Sequence, residues 1–184
     1  MAGCKMSEGI SNGCQDILRV GGMDKTFWVG YKSELDTQIS LAQTADIDAL
    51  DFGAYGGLRR FDGQKFSHTF GDELSVTQGG NKSYIHSVVV KLLANSTADD
   101  VTIQNMNLGN DIFVIVQDNN QKFFILGAGN GLSSTANTQN SGQTGDSDTS
   151  DTVTLSGQER TKKLRFWKAA GYQATLDYLE SMEI

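Results

Sequence analysis

Gly127, Gly129 and Gly131 close the run FFILGAGNGLSST, an apolar stretch that ends in glycines as a strand entering a phosphate-binding turn does. Cradling a pyrophosphate in this way requires G-x-G-x-x-G opening a helix, whose N-terminal amides hold the anion. Here the third glycine falls one place early, and Leu132 stands where glycine belongs. A polar tract without helical periodicity follows, and no G-K-[ST] occurs anywhere. The glycines are therefore expected to end a hairpin and open a loop, and nucleotide chemistry is set aside.

Histidine chemistry is confined to His68 and His86. A two-residue turn at Gly79-Gly80 pairs His68 with Lys91 and His86 with Glu73. That register separates the rings by roughly 17 Å, too far for one metal ion. Structural roles are expected for both, with a His86–Glu73 contact. Cys4 and Cys14 fit no metal spacing, have no histidine beside them, and read as free thiols. No G-x-S-x-G occurs. Asp99-Asp100 suits the start of a helix. Asp146 and Asp148 lie in DSDTSD, which lacks the central glycine and final glutamate of a calcium loop. No catalytic, cofactor or metal residue is assigned, and the chain is expected not to be an enzyme.

The elements around these residues carry more information. The chain has 184 residues, 38% apolar and 20% charged, enough for one domain with a real core. Residues 1–22 read as an extended, glycine-punctuated arm, and 23–184 as a single β domain. Twenty-one glycines and no proline leave nothing to interrupt long strands. TFWVGY reads as a strand, and 37–58 as a loop-rich connection. In KFSHTFGDELSVTQ, Phe66, Phe70, Leu74 and Val76 share one parity. Lys65, Ser67, Thr69, Glu73, Ser75 and Thr77 share the other, which predicts one dry face and one wet face. After QGGN, KSYIHSVVVKLLA alternates likewise, with Tyr84, Val88, Val90 and Leu92 on the apolar side and Ile85 and Val89 on a mixed one. Ser96 or Thr97 caps a short helix that Gly109 closes. DIFVIVQ and KFFILG flank Asp118-Asn119-Asn120 as a second hairpin, and residues 127–150 read as a mobile polar loop. TVTLSG and LRFWKA are strand-like, and Tyr172, Leu176 and Leu179 have helical spacing. The fold class is mainly β (α+β): an antiparallel β-sandwich or split barrel, a flanking short helix and a C-terminal helix.

Charge adds a further pattern. The net charge of −7 argues against a surface that grips phosphate. Asp46, Asp48 and Asp51 fall in a stretch without bases, whereas Lys162, Lys163 and Arg165 fall in a basic one. Such segments can complement each other between copies of one chain. No run is long and apolar enough for a membrane span, and MAGCKMSEG carries no signal-peptide core. Production in a cytoplasm is expected.

VGGMDKTFWVGY after an early GC, the long strands around QGGN, the helix ending NMNLGND, and IFVIVQDNNQKFFILG with its glycine- and threonine-rich sequel together resemble the tail tube proteins of tailed phages. Versions from phages and prophages of Bacteroidetes-type hosts are the nearest in pattern, and the resemblance spans about residues 10–160 by order of elements. It implies a structural virion protein in which six copies form a ring, hairpins join into one barrel, and stacked rings make a conduit for the genome. Partners would be further copies, then the terminator, distal tail, tape measure and sheath proteins, with DNA only passing through. No cofactor is implied. Under this reading Lys65, Ser67, Thr69, Glu73, Ser75 and Thr77 line a polar, net negative lumen. Asp46, Asp48, Asp51, Ile85, Val89, Lys162, Lys163 and Arg165 make subunit or ring contacts. A terminator, a neck ring or an injection-machine inner tube has the same pattern. A carbohydrate- or receptor-binding β-sandwich using Trp28, Tyr31, Tyr55 or Trp167 is the alternative from another class.

Overall fold

Strand β5 (Ile112–Asp118) is buried from Ile112 to Gln117, on both faces. A strand dry on both sides needs a cover on each, and the rest of the chain supplies two. The computed structural model describes residues 21–41, 46–64, 67–93, 96–140 and 150–184. The predicted N-terminal arm lies almost wholly outside them, with Cys4 and Cys14.

β5 is the middle of a five-stranded sheet with β1 (Met23–Tyr31), β2 (Arg59–Asp62), β6 (Phe123–Leu126) and β9 (Leu164–Phe166), in the order β2-β1-β5-β6-β9. Its first cover is a four-stranded sheet of β3 (Thr69–Val76), β4 (Lys82–Leu92), β7 (Ser133–Asn140) and β8 (Ser150–Glu159), ordered β3-β4-β8-β7. All pairings in both sheets are antiparallel. Phe27, Val29, Val114 and Val116 of the first sheet meet Val88, Val90, Val153 and Leu155 of the second. Alternate residues Trp28, Phe113, Ile115 and Phe123 point the other way, under Ile39, Ile47, Leu50, Leu58 and the C-terminal helix α2 (Tyr172–Ser181). Helix α1 (Thr97–Leu108) closes the side of the sandwich with Ile103 and Met106. Each such side chain, fully buried, contributes about 1.5–3 kcal/mol. The result is the expected antiparallel β-sandwich with a flanking and a terminal helix. Among the described residues no helix is long and apolar enough to cross a membrane.

Local chemistry sets the helix limits. Ser96 Oγ accepts a hydrogen bond from the Asp99 amide at 3.2 Å, the expected N-cap of α1. Gly109 ends α1 in extended backbone (φ −71°), not in the left-handed conformation. What it supplies is room, because a Cβ there would lie 2.7 Å from Ile112 Cδ1. In α2, Thr175 and Leu179 are buried, and the Tyr178 hydroxyl bonds both the N–H and the C=O of Leu50, fastening the helix to the 37–58 connection.

Three expectations are corrected. The β3–β4 turn has three residues, Gln78 to Gly80, with Thr77 N–H donating to Asn81 O at 2.9 Å and Gly80 at φ +79°. A left-handed third residue is the usual partner of a three-residue hairpin, and it shifts the register by one: His86 lies opposite Asp72, not Glu73. Second, the dry face of β3 is dry only at its base. Phe70 packs on the core, but Leu74 and Val76 are 49% and 56% exposed, because the hairpin runs past the end of the sandwich. Third, the tract read as a loop contains β7, which pairs with β8 from Ser133 to Asn140 with a bulge between Ser134 and Ala136. Residues 141–149 lie outside the described residues.

Candidate functional site

The four-stranded sheet has one face on the core and one that nothing in the described chain covers. Its register sets Thr69 beside Val89, Gly71 beside Ser87, and Glu73 beside Ile85. It continues across to Thr154, Ser156 and Gln158 of β8 and on to Ala136 and Ser133 of β7. Small hydroxyl and amide side chains dominate this outer face. Glu73 and Lys91 are its charges among the described residues, so the face is near neutral, not net negative as expected.

Thr69, Glu73 and Ser75 lie on the outer face as expected of a lining. Ser67 precedes β3 and turns its hydroxyl to Gln64 O, Thr77 accepts from the Asn81 amide within the hairpin turn at 3.2 Å, and Lys65 lies outside the described residues. Ile85 and Val89 share the outer face with the lining candidates, so they do not form a separate contact surface. Lys163 is already engaged within its own chain, in an ion pair with Asp72 and over the ring of Phe124. Arg165 stacks on Trp167 at 5.4 Å, Lys162 is exposed, and Asp51 accepts from the Thr37 hydroxyl at 2.8 Å. Asp46 and Asp48 flank Ile47, whose N–H and C=O bond Arg165 O and Trp167 N along β9. The acidic and basic segments thus run side by side in one chain and shield that sheet edge. Of the aromatic candidates, Trp28 is fully buried with its Nε1 donating to Glu183 at 2.8 Å, and Tyr31 lies under Arg59. Tyr55 is open to solvent, and Trp167 is half-buried.

The glycine bend after β6 holds an anion, but one that belongs to the protein. Glu159, 1% exposed at the end of β8, accepts on Oε1 from the amides of Asn130 at 2.8 Å and Gly131 at 3.2 Å. Gly127 and Gly131 have φ of +76° and +90°, which turns successive N–H groups inward. A Cβ at Gly129 would lie 2.4 Å from Glu159 Oε2, so glycine is needed for the carboxylate to enter. Glu159 shares the parity of Val153 and Leu155, and that inward position was the sequence signal for it.

His86 sits beside this bend. Its Nδ1 accepts from Gly127 N–H at 3.2 Å and its Nε2 faces Thr161 O at 2.9 Å, a pairing that requires the neutral ring with the proton on Nε2. Burial pushes its pKa below the ordinary value, against the carboxylates of Glu159 and Asp72 and the Thr161 carbonyl, with Lys163 adding to the lowering. His68 is also lowered by burial, its Nδ1 accepting from Lys91 N–H at 3.1 Å while Nε2 has no partner. The histidines are apart, each buried in structure, and no cluster among the described residues could hold a metal.

These features define a two-sheet antiparallel β-sandwich with one sheet left uncovered. Compared with protein-family models, curated proteins and solved structures, the chain matches none of them.

Proposed function

We propose that the chain is a self-assembling structural subunit whose four-stranded sheet joins with those of other copies into a closed tube wall, as its resemblance to phage tail tube proteins implies. One observation carries the reading: among the described residues β3 and β7 are both open edges, each eight residues long, on a sheet whose outer face is also uncovered. A long exposed edge strand is a template for pairing with another chain. The sheet alternates strand direction across four strands, so β7 of one copy runs opposite to β3 of a copy related by rotation. Head-to-tail addition therefore continues the antiparallel ladder, and a repeated rotation closes it into a ring. The outer faces, rich in Ser, Thr and Gln, would line that ring. A surface with balanced, sparse charge offers a passing polyanion little to bind.

The reading supports a virion component assembled from its own copies, with DNA as a passenger. Negative-stain microscopy of the purified chain across a concentration series, with light scattering, is the test. Hollow rings or tubes support it, and a monomer at every concentration overturns it.

A further inference from the structure

Resting on that reading, we infer that the apolar end of the β3–β4 hairpin is covered by the C-terminal end of α1 in the adjacent copy, with Leu74 and Val76 against Leu108 and Lys82 beside Asp111.

Strand stereochemistry fixes the side. Leu74 and Val76 share the parity of Phe70, which packs on the core, so they stand on the inner side of the second sheet but beyond its cover. Helix α1 lies on that same inner side, since Ile103 and Met106 join Val153 and Leu155 in one cluster. It flanks the β7 edge, where Ser134 Oγ meets Asn107 Oδ1 at 3.0 Å. Side chains alternate across a ladder, so a strand added to β7 brings its inner residues to the α1 side of the sheet.

Strand direction fixes the end. Antiparallel addition sets the Val76 end of β3 at the Ser133 end of β7. That end is bounded by Asn107 and Leu108 of α1 and by Asp111, because Ile112 and Leu132 exchange both backbone hydrogen bonds there. Leu108 is 70% exposed, the most open large apolar side chain of α1. Charge agrees with the placement. Lys82 lies opposite Val76 at the hairpin tip, Asp111 is exposed, and neither joins an ion pair among the described residues. The contact is heterologous: the two patches are different surfaces of one chain, so it propagates around a ring and does not stop at a dimer.

The experiment uses the full chain with Cys4→Ser and Cys14→Ser, carrying Val76→Cys and Leu108→Cys separately and together, treated with a short bismaleimide during assembly. The double variant should give a ladder of covalent multimers, an equimolar mix of the single variants should give covalent dimers, and each single variant alone should stay monomeric. Covalent dimers from Val76→Cys alone would mean a two-fold β3–β3 contact and overturn the inference. Rings without any ladder would overturn it and leave the tube reading standing. No assembly of the unsubstituted chain at any concentration would remove both. Leu108→Asp and Val76→Asp complete the test: each should raise the concentration needed for assembly at least about tenfold, with circular dichroism and thermal melting of the monomer unchanged. An unshifted assembly concentration in both would also overturn the contact.

Discussion

His86 of β4 accepts the Gly127 amide at 3.2 Å, and this bond ties one sheet of the sandwich to the end of a strand in the other. The acceptor is Nδ1 of a neutral ring, so a proton there removes the tie. The adjoining bend, the carboxylate of Glu159 and the ion pair of Asp72 with Lys163 all lie within the same region between β3, β4 and β8.

Stability should fall on acidification before the carboxylates titrate. Both histidines have folded pKa values below the unfolded value of about 6.5, so the unfolded chain binds more protons below that pH. Their stabilisation is complete above about pH 6.5 and is lost as pH falls toward the folded values. Urea midpoints between about pH 7.5 and 5.5 should decline for the natural chain and decline less for His86→Gln. A flat profile in the natural chain would contradict this.

Glu159→Ala should cost about 2–3 kcal/mol, because the buried Gly131 amide and the amide of Asn130 lose a charged acceptor together. Chemical denaturation measures it as a lower midpoint at unchanged slope. A loss under about 0.5 kcal/mol would show that water serves Asn130 and Gly131 equally well.

The Asp72 side chain is 3% exposed, with one oxygen lacking a hydrogen-bond partner, while Lys163 is 27% exposed. Lys163→Ala strands that charge and should cost about 3 kcal/mol or more. Lys163→Met with Asp72→Leu should recover most of the loss, since removing both charges also removes their desolvation cost. If the double variant is as unstable as the single, the pair contributes more than it costs to bury.

Two glycines should respond oppositely to alanine. A Cβ at Gly157 would lie 2.3 Å from Gly131 O, a backbone atom that cannot step aside, and Gly157→Ala should cost about 1–3 kcal/mol. At Gly71 nothing lies within 4 Å, and Gly71→Ala should be neutral or stabilise by up to about 1 kcal/mol. Thermal melts of the two variants decide it, and equal melting temperatures would contradict the difference in space.

Hydrophobic alternation carried most of the fold. It is strong wherever a strand has core on one side, as in β4 and β8, and continuous apolar runs marked β5, which has core on both. It failed at the edges. β7 reads as a loop because Asn137 and Gln139 stand beyond the core and need no apolar partner, so an edge strand and a polar loop share a composition. It failed at the tip of β3 for the opposite reason, since Leu74 and Val76 keep the pattern where nothing among the described residues covers them. The one-residue register error came from Gly79-Gly80, a pair that serves two-residue and three-residue turns alike. The uncovered face was legible as the polar parity of β3. The anchoring of Lys163 by Asp72 was not, because 91 residues separate them and no local pattern encodes the meeting.

The bend at Gly127–Gly131 is built like an anion receptor, yet its guest is tethered to the same chain. The buried Glu159 carboxylate already occupies the Asn130 and Gly131 amides, so a free phosphate meets a receptor that is already filled. Glu159 thereby makes a phosphate-binding shape inert toward phosphate.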